Sequence, residues 1–315
     1  MAYIITGATG HIGNNLVRKL VILNKEVKVL VRKIDKSIEN LPIEYCVGNI
    51  FDEEFLNNHI SSNDIVIHLA GIIDIKNKNK EQVYNINYHG ANLIADICLK
   101  KKVRKYVFCS SVDVLEMRKD ILIKEPIDIN IDEIEGNYGK SKGLATKHVK
   151  ELIKLHPNFN AAIVYPSAVI GPNDWKPSAI GSMIQDSLKM KMQFGIKGGY
   201  NFVDVDDVND AIINLAESNY REDYILSGEI VSVYKMYELT NQAIGVKRRV
   251  PKLPMFLVWL GIPFVPYLSP LVFKLLKTNP EYDCSKAIRD LNYQHTPFEK
   301  TIEKTVNWFK NKEKL

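Results

Sequence analysis

Short runs of apolar residues alternate with stretches of helical periodicity along the first half of the chain. Tyr3–Thr6 is an apolar run, followed by Gly7-Ala8-Thr9-Gly10-His11-Ile12-Gly13 and then by residues 14–23, where Leu16, Val17, Leu20 and Leu23 share one helical face. Further apolar runs at 27–31, 43–47, 65–69, 106–110 and 161–165 read as strands. Residues 83–100 and 138–155 read as helices between them. Strands that are apolar on both sides and alternate with helices predict a doubly wound parallel sheet of the Rossmann α/β class. Beyond residue 170 prolines, glycines and shorter elements take over. This predicts a dinucleotide-binding domain over 1–170, completed by strand and helix returns from later segments, and a mainly substrate-binding region over 171–315.

The glycine turn is the first chemical signal. Three glycines at this spacing allow a tight turn, close approach of backbone to a pyrophosphate, and close packing of helix on strand. The helix N-terminus adds free N–H groups and partial positive charge.

The end of the second strand selects the cofactor. An acid there would hold the ribose 2′-hydroxyl of NAD, and a base the 2′-phosphate of NADP. Val31 takes the acidic position and Arg32 follows, with Lys36 close behind. A guanidinium can fork two N–H groups onto phosphate. NADP(H) is therefore favoured over NAD(H), although Asp35 leaves room for NAD.

Tyr138 and Lys142 lie four residues apart and share a helix face. A cation near a phenol favours the phenolate and so promotes proton exchange. Cys109-Ser110-Ser111 ends the fifth strand and delivers a hydroxyl to the same sheet edge, so Ser111, Tyr138 and Lys142 form the candidate catalytic set.

With these residues assembled, nearly the whole chain resembles an extended short-chain dehydrogenase/reductase of the NAD-dependent epimerase/dehydratase family. The matching segments are Thr6-Gly7-x-x-Gly10-x-x-Gly13, His68-Leu69-Ala70-Gly71, Asn87-x-x-Gly90, the Ser111/Tyr138/Lys142 set, Tyr165-Pro166-Ser167 through Pro172, and residues 201–208. Tyr165 stands where an Arg is usual, and Asn49 where an Asp is common near adenine. The resemblance implies cofactor contacts from Gly7, Thr9, Gly10, His11, Ile12, Gly13, Arg32, Lys36, Asn49, Ile50, Leu69, Ala70, Gly71, Pro166 and Ser167. It also implies hydride exchange with Tyr138 as general acid or base, Ser111 orienting the substrate oxygen, and Lys142 lowering the phenol pKa and holding the ribose. No metal is implied. The family leaves room for a homodimer through the central helices.

Subfamily cues point to an apolar cyclic substrate. Residues 65–75 and 109–114 resemble 3β-hydroxysteroid dehydrogenases, and residues 198–204 with Arg32 resemble dihydroflavonol-4-reductase relatives. The Asp-Glu pair of dehydratases is replaced by Val112-Asp113. The leading expectation is an NADP(H)-dependent oxidoreductase interconverting a ketone and a secondary alcohol on a steroid- or flavonoid-like ring. The alternatives are a nucleotide-sugar epimerase or reductase, and a non-catalytic NADP-sensing regulator.

Composition adds bounds. A formal charge of +5 over 315 residues is mild and gives no case for nucleic acid. Cys46, Cys98, Cys109 and Cys284 are widely spaced, with no metal-binding or disulfide pattern. With no signal-peptide pattern ahead of the first strand, a cytoplasmic protein is expected. Residues 253–276 are strongly apolar but interrupted by Pro254, Pro263, Pro266 and Pro270, which rules out one spanning helix. The preferred reading is pocket lining or a lid. Contact with a membrane surface, helped by Lys247, Arg248, Arg249 and Lys252, ranks second.

Overall fold

The computed structural model describes residues 1–74, 77–265 and 268–312. Ile75 and Pro266, named above, lie outside the described residues. The chain begins with β1 (Tyr3–Thr6), α1 (His11–Ile22), β2 (Val27–Val31), β3 (Glu44–Val47), α2 (Glu53–His59) and β4 (Ile65–His68). A long helical stretch follows: α3 (Lys80–Tyr84), a π-helical turn at Asn85–Gly90, and α4 (Ala91–Lys101). Next come β5 (Lys105–Cys109), β6 (Leu122–Ile123), α5 (Gly136–Leu155), β7 (Ala161–Pro166), β8 (Ala168–Ile170), α6 (Ala179–Lys189) and β9 (Gly199–Asp204). The chain closes with α7 (Val205–Glu217), β10 (Asp223–Leu226), β11 (Glu229–Ser232), α8 (Val233–Ala243), α9 (Met255–Gly261), α10 (Pro270–Thr278), β12 (Glu281–Tyr282), α11 (Ser285–Leu291) and α12 (Phe298–Lys312).

A seven-stranded sheet runs in the order β10-β7-β5-β4-β1-β2-β3, with every pairing parallel. The strand order reverses beside β1, which creates the crevice where open α/β sheets bind ligands. Both faces are buried, which explains the continuous apolar runs. In β1, Ile4 points into a core shared with α4 and α5. Its neighbours Tyr3 and Ile5 point into a second core beneath α1 and α7.

Three predicted boundaries move for physical reasons. The first helix starts at His11 rather than residue 14. Gly13 therefore sits inside the first helical turn, where an added Cβ would lie 2.2 Å from the Gly7 carbonyl oxygen. The predicted 83–100 helix contains the widened π turn at Asn85–Gly90. Asn87 at its centre accepts from Ile72 N–H at 2.8 Å and donates to the Ile72 carbonyl at 2.9 Å. The fifth strand occupies Lys105–Cys109, one residue before expectation. That shift leaves Ser110 and Ser111 just past the strand end, where the Ser110 hydroxyl bonds Thr146 Oγ1 at 2.7 Å.

The segments after residue 170 contribute to both parts of the molecule. α7 packs on α1, and β10 joins the large sheet beside β7. α11 packs on β10 and α7, and most of the remainder forms a second layer around β11-β9-β8, with its own core of Phe202, Met236, Leu276, Ile302 and Phe309. Asp204 joins the layers. It caps α7 through Asp206 N–H, accepts from Thr301 Oγ1 at 2.6 Å, and pairs with Lys304 at 2.7 Å. Two helices are thereby fixed to one buried carboxylate.

Candidate active site

A cleft of about 760 Å³ opens at the C-terminal ends of β1, β4, β5 and β7. Its floor is the glycine turn. Gly7 adopts φ +72°, and a Cβ there would lie 2.6 Å from the Leu69 carbonyl carbon and the Ala70 nitrogen. Only glycine permits both that conformation and that approach. α1 begins at the cleft with Gly10 as its cap and no side-chain capping bond. Its first-turn N–H groups and partial positive charge are thus available to an anion.

Twelve of the residues expected from the sequence line this cleft: Gly7, Gly10, His11, Ile12, Gly13, Leu69, Gly71, Ser111, Tyr138, Lys142, Pro166 and Ser167. Six do not. Ala70 donates its N–H to Thr6 Oγ1 at 3.3 Å, and Thr9 stays within the turn. Arg32 and Lys36 are exposed beyond β2. Asn49 is exposed and accepts from Phe51 N–H at 3.1 Å, while Ile50 packs against the core. His11 is on the lining but also bonds the Pro172 carbonyl at 3.0 Å. It ties the helix N-terminus to the loop after β8.

The Ser111 hydroxyl donates to Asp113 Oδ2 at 3.0 Å and accepts from Asp113 N–H at 3.2 Å. Burial pushes the Tyr138 phenol above its ordinary range, the Asp113 charge adds to that, and the nearby Ser111 hydroxyl pulls the other way. Lys142 is 4% exposed. It donates from Nζ to the Cys109 carbonyl at 2.8 Å and lies 5.0 Å from the centroid of the Phe108 ring. Burial pulls its pKa below the usual lysine value. The expected lowering of the phenol pKa by Lys142 is not seen in this geometry, where burial and the Asp113 charge raise it. Gly71 makes room for the ammonium: a Cβ there would stand 3.3 Å from Lys142 Nζ.

The cleft fits a nicotinamide dinucleotide on two observations: the glycine-walled helix N-terminus at one end, and the buried Ser167 hydroxyl at the other. Ser167 lines the cleft, and its Oγ has no hydrogen-bond partner among the described residues. A buried polar atom of this kind invites a ligand partner. Among the described residues no His/Cys/Asp/Glu cluster could hold a metal. Cys46 and Cys109 are buried free thiols, both pushed up to about 11 chiefly by burial.

Sequence reasoning missed part of the wall. Asp113 was noted only as a broken motif, yet it sits beside Ser111. Lys176, Ile180, Met183 and Tyr200 also line the cleft. They come from the second layer, and local patterning carries no signal for what they face. Residues 253–276 split. Leu271, Val272 and Leu275 of α10 line the cleft, whereas most of α9 is exposed.

Residues 3–227 match the profile of the NAD dependent epimerase/dehydratase family. Over 327 residues the chain is 28% identical to a putative dihydroflavonol 4-reductase of Synechocystis, covering 98% of this chain and 94% of that one. It is 23% identical to sterol demethylase protein B of Methylococcus capsulatus, covering 99% of both. In structure it superposes on a UDP-glucose 4-epimerase of Thermotoga maritima with a TM-score of 0.79, at 18% identity, over 99% of this chain and 100% of that one. The glycine turn, the parallel sheet and this match over most of its length make the chain a member of the NAD-dependent epimerase/dehydratase family, an extended short-chain dehydrogenase/reductase and an NAD(P)-dependent enzyme of the oxidoreductase and epimerase kind.

Proposed function

We propose that the protein is an NADP(H)-dependent oxidoreductase that interconverts a ketone and a secondary alcohol on an apolar, cyclic, steroid- or flavonoid-like substrate. One observation carries the substrate class: the charge balance of the cleft. Its described lining holds three lysines against six carboxylates, Asp74, Asp113, Glu116, Glu133, Glu135 and Asp174. Of the lysines, Lys176 is paired with Asp35, Lys274 with Glu135, and Lys142 is buried on the Cys109 carbonyl. A nucleotide-sugar diphosphate needs unpaired cations, and this wall offers a surplus of negative charge instead. Leu115, Met117, Ile180, Met183, Leu271 and Leu275 give the same wall apolar area suited to a rigid ring system. The names of relatives that act on sterols or flavonols support this reading.

The nicotinamide, when bound, supplies or accepts the hydride. Tyr138 exchanges the proton with the substrate oxygen, and Ser111 orients that oxygen. Lys142 would hold the nicotinamide ribose. Gly7, Gly10 and Gly13 with the α1 N-terminus take the pyrophosphate, and Arg32 with Lys36 reaches the 2′-phosphate. The test is turnover on steroid and flavonoid ketones, and on UDP- and dTDP-sugars, each with NADPH and NADH. The reading expects ketone reduction with NADPH. Turnover of the sugars alone would replace it with the epimerase reading supported by the nucleotide-sugar relatives. Cofactor binding with no turnover on any substrate would leave the sensor reading.

A further inference from the structure

Next to the cleft the second layer carries an apolar surface whose side chains are largely exposed among the described residues. In α9 only Val258 is buried, while Phe256, Trp259 and Leu260 are 65%, 52% and 62% exposed, and Phe264 just beyond is 84% exposed. A neighbouring loop extends the patch with Met192 and Phe194, both exposed. That loop is fixed to the α9 approach by backbone bonds from Gly195 N–H to the Pro251 carbonyl at 3.0 Å and from Leu253 N–H to the Gly195 carbonyl at 2.8 Å. On the other side, Trp259 meets Phe273 of α10 edge-on, with ring centroids 5.3 Å apart. Leu271 and Leu275 of the same helix line the cleft, so the patch borders the cleft wall.

Charge decides what fits there. Residues 189–197 and 245–280 together contain nine Lys and Arg and no Asp or Glu. The chain as a whole carries +5, so everything outside these two segments is net negative. Of the nine, Lys274 is paired with Glu135 from across the cleft, Arg248 donates to the Ser187 and Leu188 carbonyls, Lys252 lies over the Tyr234 ring, and Lys189 is also engaged. Exposed aromatic and aliphatic side chains ringed by cations are the composition of a surface that lies in a lipid headgroup region. A second copy of the chain fits poorly, because a two-fold contact sets this patch against itself and brings like charges together. No described helix is long and apolar enough to cross a membrane. A mode that lies on the surface is the one left by the geometry.

We propose that α9 and the 189–197 loop form a peripheral docking surface for an anionic lipid bilayer, holding the cleft mouth against the membrane. The proposal does not depend on the redox reading, since it is tested by binding alone. The full chain is mixed with vesicles of phosphatidylcholine and with vesicles of phosphatidylcholine and phosphatidylglycerol, and bound protein is separated by flotation. The expected result is flotation with the anionic vesicles, weakened by salt. Lys191→Ala and Arg249→Ala are each expected to lower partitioning about fivefold. Phe256→Ser/Leu260→Ser/Phe264→Ser is expected to lower it about a hundredfold, with melting and cofactor binding retained because these side chains are already in solvent. Absence of the wild-type chain from the floating fraction overturns the proposal, as does equal flotation with both vesicle types. A lipid-free dimer that the triple variant dissociates, without flotation, assigns the patch to a second copy instead.

Discussion

The Asp35 carboxylate, just beyond the end of β2, is paired at 2.6 Å with Lys176 from the loop after β8. It also accepts from Ser37 N–H at 3.0 Å. The acid that left room for NAD is thus engaged by a cation of the second layer, while Arg32 stays exposed. We expect Arg32→Ala to weaken NADPH about 10- to 100-fold, the size of a lost charge-assisted contact, and to leave NADH nearly unchanged. Titration of intrinsic fluorescence with each cofactor measures this. An equal loss for both would remove the 2′-phosphate contact.

Tyr138→Phe keeps the ring and deletes the phenol proton. Turnover is expected to fall by about 10²- to 10⁴-fold, with cofactor affinity within about twofold because the phenol adds no charge. Steady-state kinetics beside a binding titration separates the two effects. Retained turnover would take the proton-transfer role away from Tyr138.

The phenol pKa is raised by burial and by the Asp113 charge, so its neutral form persists through neutral pH. A neutral phenol can donate to a ketone oxygen, whereas alcohol oxidation needs the phenolate. Oxidation should therefore climb with pH while reduction stays flat until the alkaline range. Asp113→Asn removes a charge that disfavours the phenolate, so the oxidation limb should move to lower pH. A limb that stays in place would show that Asp113 does not act on Tyr138.

Gly13→Ala would place a methyl group 2.2 Å from the Gly7 carbonyl oxygen. The backbone has to part, which costs about 1–3 kcal/mol of stability and widens the anion cradle. A lower melting temperature together with weakened binding of both cofactors is the expected pair of results. Normal melting and normal binding would mean that the helix–turn contact is not needed.

Much of the first half was legible because most of its strands lie in one sheet, and its central strands are buried on both faces. Tyr3–Ile5 and Ala161–Tyr165 are apolar throughout for that reason, and apolar runs are a local signal. The shift of α1 to His11 was not legible. Glycine is a poor helix former, and only the contact of Gly13 with Gly7 explains its place in the first turn. Asp113 shows the same limit at the site. Its spacing from Ser111 is visible in the sequence, but the bond between them depends on the turn after β5.

By itself the sequence determined the alternating architecture, the glycine cradle and the identity of the candidate proton-transfer residues, since each is written in local periodicity or short spacing. The tertiary structure decided which side chains meet. It brought Lys142 to the Cys109 carbonyl, engaged Asp35 with Lys176, and divided residues 253–276 between a cleft wall and an exposed face. Those outcomes depend on packing between segments distant in sequence, 33 residues apart for Cys109 and Lys142 and farther for Asp35 and Lys176, or on which side of a short helix is covered. Hydropathy along the chain records that a residue is apolar, and only its neighbours in space determine what it faces.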